Sequence, residues 1–229
     1  MMYSQQLSAH TNPVRFILAS ASSARLKLLR EAGLNPEVFV SEVDENAVVN
    51  SMPANLMHDA VSQVSILAQE KARSVLKKLL QNYYNESNED ILILGLDSLY
   101  EFEQNVWGKP HTREVAIERI MQMSGKSGQL HTGHHAILIP AHSNEVLERG
   151  KVTSTQINFG DISQAEIEAY VNIGEPLEVA GGFTIDSLGS AFIKSITGDY
   201  HSVVGVSVYT LRALIKQLGL NYTAFWSVR

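Results

Sequence analysis

Phe16-Ile-Leu-Ala-Ser-Ala-Ser-Ser-Ala-Arg-Leu-Lys-Leu-Leu-Arg30 contains the strand-to-helix junction from which the architecture of this 229-residue chain can be inferred. The apolar run at its start is typical of a strand, and the leucines continue as a helix that Gly33 can end. Such a junction exposes unpaired backbone N–H groups and the positive end of the helix dipole. It can therefore bind an anion, and Arg25 adds a fixed charge. The alternative is that the serines only cap the helix, which this stretch alone favours.

The composition limits the class of protein and of partner. The chain is 45% hydrophobic and 18% charged, which is typical of a globular protein. It has no cysteine, so disulfides and thiolate metal sites are excluded. Its net charge of −6 does not attract nucleic acid. The first 12 residues lack a signal-peptide core, and no apolar run approaches the roughly 20 residues of a membrane span. We therefore expect a cytoplasmic protein with neither nucleic acid nor membrane as a partner.

The order of helical and strand patterns predicts an α/β fold. Helices alternate with strands in the first half and strands cluster in the middle, which favours a mixed twisted sheet flanked by helices, in two lobes around a central cleft. Residues 1–14 are predicted to be an N-terminal extension and residues 15–229 one domain of two lobes. The predicted strands are 16–19, 37–41, 91–96, 130–139 and 146–159, the last two as antiparallel neighbours. The predicted helices are 54–80 (opened by Pro53), 112–123, 163–174 and 207–218.

Two charged residues lie at positions where charge needs an explanation. Asp97 directly follows the continuous apolar run 91–96, where open α/β sheets place ligands. A buried carboxylate there requires partners, a metal or a substrate, and helix capping is disfavoured because Leu99 begins a further strand-like alternation. Lys71 falls on the apolar stripe of the predicted helix 54–80. Either its stem is buried while its ammonium group reaches water, or it is a cation that points into a cleft.

Several other residues are candidates for local roles. Lys109 precedes Pro110, so it lies in an extended, rigid segment. His131 and His135 are expected on one face of their strand, and the chain lacks the acidic pattern of a metal site nearby. We therefore favour structural or substrate-facing histidines over metal ligands. Glycines at 181, 182 and 189 indicate close backbone approach or bulges.

Taken together, the motifs resemble those of one family. Leu18-Ala-Ser-Ala-Ser-Ser-Ala-Arg25 resembles the LASxSPRR opening of the Maf-type nucleoside triphosphate pyrophosphatases. The later elements follow in order: Ser41-Glu-Val-Asp-Glu45, Leu67-Ala-Gln-Glu-Lys-Ala72, Gly95-Leu-Asp-Ser98, Gly108-Lys-Pro110, Ser124-Gly125, His131-Thr-Gly133, Ile167-Glu-Ala-Tyr170, Gly174-Glu-Pro176, Ala180-Gly181 and Val203-Val-Gly205. Each motif is weak by itself, but the ordered set over residues 15 to 219 is specific.

The resemblance implies a fold, an activity and a set of site residues. It implies an α/β cleft enzyme, similar in fold to inosine triphosphatases, that cleaves a nucleoside triphosphate to the monophosphate and pyrophosphate with a divalent metal such as Mg, Mn or Co. Asp97 matches the proposed general base and Glu45 an acidic metal residue, with Asp97 as a second metal ligand. Residues matching phosphate- or substrate-binding positions are Ser20, Ser22, Arg25, Lys71 and Lys109. Positions tied to base specificity fall on Ala24, Ser98 and Asp186.

The same resemblance implies some wider properties. The family has been linked to septum formation and division arrest, and a homodimer is expected at the level of the family. A housekeeping role in the nucleotide pool, acting on standard or non-standard nucleotides, is also implied. The pattern around Val179 to Asp186 resembles a subgroup common in actinobacteria.

This chain departs from the family pattern at several positions. Ser23 and Ala24 replace the proline and first arginine of SPRR, Val179 replaces a lysine, and Asp186 replaces a glutamine. Two alternatives to the pyrophosphatase therefore stay open. One is a nucleotide-binding regulator with little or no turnover, and the other is a phosphohydrolase that releases orthophosphate.

Overall fold

The computed structural model describes residues 13–82, 88–143 and 145–227, and this part of the chain contains seven strands. The strands are β1 Val14–Ala19, β2 Glu37–Val38, β3 Asp90–Phe102, β4 Asn105–Trp107, β5 Ser127–Ile139, β6 Leu147–Phe159 and β7 Ile193–Thr197. The α-helices are α1 Ser23–Glu31, α2 Glu45–Asn50, α3 Ala60–Asn82, α4 Arg113–Met123, α5 Gln164–Ile173, α6 Tyr200–Val204 and α7 Val208–Gln217. Short 3₁₀ helices are Glu175–Glu178, Ala180–Gly182, Leu188–Phe192 and Tyr222–Phe225.

The seven strands form one mixed sheet, which confirms the predicted fold class. The order is β2-β1-β3-β5-β6-β7, and β4 pairs with β3. β1 is parallel to β2 and β3, whereas β3, β5, β6 and β7 are joined by antiparallel pairs. Ala19, the last residue of β1, lies opposite Gly95, so β3 continues seven residues beyond its parallel neighbour. This step at the end of β1 is where the candidate site lies.

Helices cover both faces of the sheet because the strands alternate two apolar sets. Leu18 and Leu94 face α1 and α7, while Ile17 and Ile93 face α3. A third apolar group surrounds Tyr100 and includes α4 and α5. None of the described helices has the length and apolar content needed to cross a bilayer.

Two glycines let α3 lie directly on the sheet. A Cβ atom at Gly95 would lie 2.1 Å from the Ala68 carbonyl oxygen, and one at Gly133 would lie 2.1 Å from the Val64 carbonyl oxygen. Real side chains do not approach a backbone so closely, so only glycine permits this contact. The contact fixes the height of α3 above β3 and therefore the height of Lys71, three residues beyond Ala68.

Local capping signals predicted several helix ends well. Thr112 caps α4, Ser163 forms a complete capping box with Glu166, and Ser207 caps α7. Gly33 follows the end of α1 with a φ of +83°, as predicted for a residue that ends a helix. The antiparallel pairing of the strands predicted over 130–139 and 146–159 is also confirmed, although β5 begins three residues earlier, at Ser127, and β6 begins one residue later, at Leu147.

Other boundaries were wrong. The long helix begins at Ala60 rather than Ala54, because Pro53 starts turns instead and Asp59 accepts a hydrogen bond from the backbone N–H of Ser62. β2 covers only Glu37–Val38, not 37–41. β3 does not end at Asp97, which pairs with Gly133 in the middle of the strand.

The acidic residues Glu42 to Glu45 lead into a short helix that the sequence analysis did not predict. Glu45 begins α2, and the Asp44 side chain caps it by accepting from the backbone N–H of Ala47. At the N-terminus, β1 already begins at Val14, while residues 1–12 lie outside the described part of the chain. The predicted extension and the division into two lobes stay predictions.

Candidate active site

A cleft of about 1210 Å³ opens at the step where β1 ends and β3 continues. All ten residues selected from the sequence line it: Ser20, Ser22, Ala24, Arg25, Glu45, Lys71, Asp97, Ser98, Lys109 and Asp186. They come from six separate parts of the chain. The structure therefore brings the whole predicted set into one place, whereas the individual roles stay predictions.

The N-terminus of α1 forms one wall of the cleft. Ser22 is the N-cap and accepts a hydrogen bond from the backbone N–H of Arg25 at 3.3 Å, so the capping interpretation is correct. Ser20 is buried, and its hydroxyl accepts from the backbone N–H of Ser22 at 3.2 Å. Capping satisfies only some of the first-turn N–H groups, and Ser23 and Ala24 line the cleft. The same helix start can therefore be capped and still face an anion.

Arg25 is bound to the protein through its whole guanidinium group. It donates from Nε to the Gly205 carbonyl at 3.0 Å and from Nη1 to the Leu96 carbonyl at 3.0 Å and the Ser20 hydroxyl at 3.2 Å. From Nη2 it donates to the Ser98 hydroxyl at 3.0 Å. Burial lowers the pKa of Arg25, and the carboxylates of the cleft oppose that shift. Arg25 thus fixes α1 against the strand on both sides of Asp97, and its guanidinium group is engaged by these protein contacts.

Lys71, Asp97 and Glu45 form the most tightly coupled group of charges in the cleft. The Lys71 ammonium lies 2.6 Å from the Asp97 carboxylate and 2.7 Å from the Glu45 carboxylate. Only 12% of the Lys71 side chain and 8% of the Asp97 side chain are exposed. Lys71 therefore points into the cleft, and the alternative of an ammonium group in open water is wrong.

The environment of Asp97 suits a proton acceptor. Burial raises the pKa of Asp97 above its ordinary value, while the positive charges of Lys71 and Arg25 act in the opposite direction. A carboxylate with a raised pKa takes a proton more readily than an ordinary aspartate and is still held in place by its ammonium partner.

The acidic residues of the cleft match only part of a metal site. Within the described residues, no group of three or more histidine, aspartate or glutamate side chains is arranged to hold a metal ion. Glu45 and Asp97 nevertheless place two carboxylates around one ammonium group. Mg²⁺ typically keeps several waters and is held by one or two carboxylates together with substrate phosphates. The donor set therefore fits a cation that arrives with a phosphate chain.

The opposite wall contains Lys109 together with two residues, His111 and Glu178, to which the sequence analysis gave no role. Lys109 Nζ lies 3.5 Å from the Glu178 carboxylate, and His111 Nδ1 lies 3.3 Å from the other oxygen of the same carboxylate. All three side chains are exposed and line the cleft. Glu178 directly precedes Val179, which takes the place of the family lysine, so the motif departure was the available signal. His58, in the turns before α3, also faces the cleft without an assigned role.

Ser98 and Asp186, two of the positions that the family resemblance links to base specificity, differ in their surroundings. Ser98 is engaged by the protein, since its hydroxyl contacts Thr132 Oγ1 at 2.9 Å as well as Arg25. Asp186 is exposed at the cleft edge. The pKa of Tyr200 is raised mainly by partial burial and, to a smaller extent, by the nearby Asp186 carboxylate. Asp186 is thus freer than Ser98 to contact a ligand.

The histidines of β5 are structural. His131 and His135 share the α3-facing side, as predicted, where His131 contacts Ser154 at 2.8 Å and His135 contacts Glu148 at 2.9 Å. His134 points the other way and accepts from the backbone N–H of Ser207 at 2.8 Å. Burial lowers the pKa of His134 to about 4. None of the three lines the cleft, so the substrate-facing alternative is wrong for them.

These features define an α/β cleft protein built to bind a polyanion. A helix N-terminus, the lysines 71 and 109 and a pair of carboxylates able to accept a cation all face one cavity.

Comparison with known proteins agrees with this class and identifies the family. A family model described as "Maf-like protein" matches residues 15–218, and the chain belongs to this family. It is 43% identical over 213 residues to a nucleoside triphosphate pyrophosphatase of Mycolicibacterium gilvum, which covers 93% of this chain and 99% of the relative. A protein of the same name from Leifsonia xyli is 43% identical over 220 residues, covering 93% and 97% of the two chains. The relative from Trichodesmium erythraeum has the same name and is 39% identical, covering 92% and 97%. The family assignment made from the motifs is therefore confirmed.

Proposed function

We propose that the protein is a nucleoside triphosphate pyrophosphatase, which hydrolyses a nucleoside triphosphate to the monophosphate and pyrophosphate with a divalent cation. The observation that carries the proposal is the buried Asp97 carboxylate, held 2.6 Å from Lys71 beside the open N-terminus of α1. Relatives named as nucleoside triphosphate pyrophosphatases align with nearly the whole chain and have about the same length, which supports the same activity here.

In this proposal the phosphate chain lies between α1 and the two lysines. The first-turn N–H groups of α1 bind phosphate oxygens, and Lys71 and Lys109 neutralise part of the charge. Ser20 and Ser22 shape this end of the cleft, and Arg25 holds both the helix and the strand in register. Lys71 would exchange one of its carboxylate contacts for phosphate when the substrate binds.

Asp97 accepts the proton in the proposed reaction. A water molecule attacks phosphorus in the anhydride between the α- and β-phosphates, its proton passes to the Asp97 carboxylate, and the bridging P–O bond breaks to release pyrophosphate. Glu45 and Asp97 are the carboxylates that would hold the cation. When bound, a divalent cation withdraws charge from the phosphate oxygens and the leaving group.

The test is substitution of Asp97 by asparagine. Asp97→Asn should lower pyrophosphate release by about 10²–10⁴-fold, while the fold and nucleotide binding are kept. Asp161→Asn, an exposed aspartate outside the cleft, is the matched control and should behave as wild type. The assay is a panel of standard and modified nucleoside triphosphates, with and without Mg²⁺, Mn²⁺ or Co²⁺, in which both pyrophosphate and orthophosphate are measured. Wild-type rates in a folded Asp97→Asn protein would refute the assignment.

A nucleotide-binding regulator with little turnover is the second candidate. Val179 favours it, because an apolar side chain lines the cleft beside Glu178 and Lys109, where the family pattern has a lysine. Nucleotide binding without metal-dependent release of pyrophosphate would support the regulator. Release of orthophosphate instead would indicate a different phosphohydrolase. The homodimer, the cytoplasmic location and the link to cell division stay predictions.

A further inference from the structure

Outside the cleft, the Glu175 carboxylate organises one complete loop. Five donors converge on it: the hydroxyls of Tyr170, Thr184 and Ser187 and the backbone N–H groups of Leu188 and Gly189. Ser187 donates at 2.7 Å and Gly189 at 3.1 Å. Although partial burial acts to raise it, these hydrogen bonds hold the pKa of Glu175 below its ordinary value. A carboxylate with this many donors is ionised and fixed at neutral pH.

The loop formed by residues 184–189 is closed around this carboxylate. A Cβ atom at Gly189 would lie 2.6 Å from the Thr184 carbonyl oxygen and 2.6 Å from the Tyr170 hydroxyl, so the two ends of the loop touch. Four of the five donors to Glu175 belong to this 184–189 loop. Removing the acceptor would leave several donors without a partner, and the loop would lose its defined shape.

The 184–189 loop faces the cleft on one side and Glu175 on the other. Thr184, Ile185 and Asp186 line the cleft, whereas Glu175 and Ser187 do not. The loop contains no lysine or arginine, and its one charged residue is the Asp186 carboxylate. A phosphate chain would be repelled by this wall, while the neutral base and sugar would not. The wall therefore suits the nucleoside part of a nucleotide.

We propose that Glu175 is a positioning residue for nucleoside selectivity, because it sets the shape of the 184–189 loop that contacts the nucleoside without touching the substrate itself. The proposal rests on the proposed function only in taking a nucleoside triphosphate as the ligand. It does not require that the protein turns the nucleotide over.

The experiment measures binding rather than turnover. Dissociation constants are determined calorimetrically for α,β-methylene analogues of nucleoside triphosphates with different bases, and for inorganic tripolyphosphate, which has no nucleoside. Glu175→Gln should reduce the ratio between the best and worst base by about 10-fold, the effect of losing one well-placed polar contact. The dissociation constant of tripolyphosphate should be unchanged, because the phosphate side of the cleft does not depend on the loop.

The matched control is Glu166→Gln. Glu166 also accepts from a backbone N–H and a hydroxyl, both of Ser163. It lies on α5, the helix that ends shortly before Glu175, and its hydrogen bonds go to Ser163 rather than to the 184–189 loop. Glu166→Gln should change the stability of the protein without changing its base selectivity. Unchanged selectivity in folded Glu175→Gln, or an equal loss of tripolyphosphate binding, would overturn the proposal.

A milder variant covers the case in which Glu175→Gln does not fold. Ser187→Ala removes one exposed donor from the same carboxylate and should reduce selectivity in the same direction by about 3-fold, the share of a single hydrogen bond. No change in Ser187→Ala would then overturn the proposal. A wild-type protein that binds nucleotides selectively but releases no pyrophosphate would refute the proposed function and leave Glu175 testable. A wild-type protein that binds no nucleotide would overturn both.

Discussion

Replacing Gly95 by alanine tests how the sheet and α3 together position the site. The new Cβ would lie 2.1 Å from the Ala68 carbonyl oxygen, 2.8 Å from the Ala72 backbone nitrogen and 2.9 Å from the Ala72 Cβ. The two closest atoms belong to the helix backbone, so they cannot move away unless α3 shifts as a whole. Overpacking of this kind costs about 1–3 kcal/mol.

The unfolded chain offsets part of that cost. Alanine has fewer unfolded conformations than glycine, which stabilises the protein by about 0.4–1 kcal/mol where the native backbone accepts it. Since the clash involves backbone atoms, we expect a net loss of about 2 kcal/mol in the free energy of unfolding. Gly160→Ala is the control, because its nearest neighbour is the Phe192 carbonyl oxygen at 3.9 Å and it should lie within about 0.5 kcal/mol of wild type.

The same substitution should also affect the site. Lys71 is on α3 three residues after Ala68, so a shift of the helix away from Gly95 moves the ammonium group away from Asp97. Pyrophosphate release by Gly95→Ala should therefore fall even under conditions where the variant is fully folded. Equilibrium unfolding in urea gives the stability and a pyrophosphate assay gives the activity. Equal urea midpoints for Gly95→Ala and Gly160→Ala would refute the described contact between helix and strand.

Three further predictions concern charge. Lys71→Met and Lys109→Met should each lower kcat/KM for the triphosphate with little loss of stability, since methionine keeps the apolar stem. The exposed Lys27→Met is the control and should match wild type in kcat/KM. Unchanged kinetics for Lys71→Met would show that its charge is not used. His134 should make the free energy of unfolding fall by about 3 kcal/mol as the pH falls from 6.5 to 4. The pKa of His134 is about 4 in the folded protein, below the ordinary 6.5, so the unfolded chain binds the proton first as the pH falls. His134→Gln should remove that part of the slope in urea titrations at several pH values, and an unchanged slope would contradict the assignment. Asp186 offers only hydrogen-bond acceptors, so dTTP and UTP should not be the best substrates. Asp186→Gln should shift the kcat/KM preference toward these two nucleotides by about 10–100-fold. If wild type prefers dTTP and the substitution does not change that preference, Asp186 does not contact the base.

Local signals explain which parts of the fold could be predicted from the sequence. Thr112, Ser163 and Ser207 act within three or four residues of themselves, so the starts of α4, α5 and α7 were recognised correctly. Pro53 is equally local but suits both a helix start and a turn. The turn bond from the backbone N–H of Leu56 to the Pro53 carbonyl was the alternative that the pattern did not separate.

Short or polar elements were harder to predict. α2 has only six residues and none is buried, so it has no apolar stripe to reveal it, and Asp44 was not recognised as its N-cap. Asp97 seemed to end a strand because the apolar run stops there. The strand continues because β5 supplies pairing partners on the far side, which no local pattern contains.

The site shows the same division between local motif and long-range contact. Its members could be selected because each belongs to a recognisable motif of the family, and all of them line the cleft. The motifs could not predict which of these residues contact each other. The bond from Arg25 to Gly205 spans 180 residues, and the bond from Lys71 to Asp97 depends on two glycines that bring α3 onto the sheet.

The position of Asp97 inside β3 has a consequence for how such a protein can change over time. Its backbone is fixed by the pairing of β3 with β5, so the proposed proton acceptor lies inside the sheet rather than on a loop. The wall formed by residues 184–189 lies outside the sheet, in a segment that tolerates sequence change more easily. Mutations in that wall can alter which nucleotide is accepted while Asp97 and its partners are kept. Relatives could therefore diverge in substrate range at little risk to turnover, and a new specificity would require changes in a few loop residues rather than a new active site.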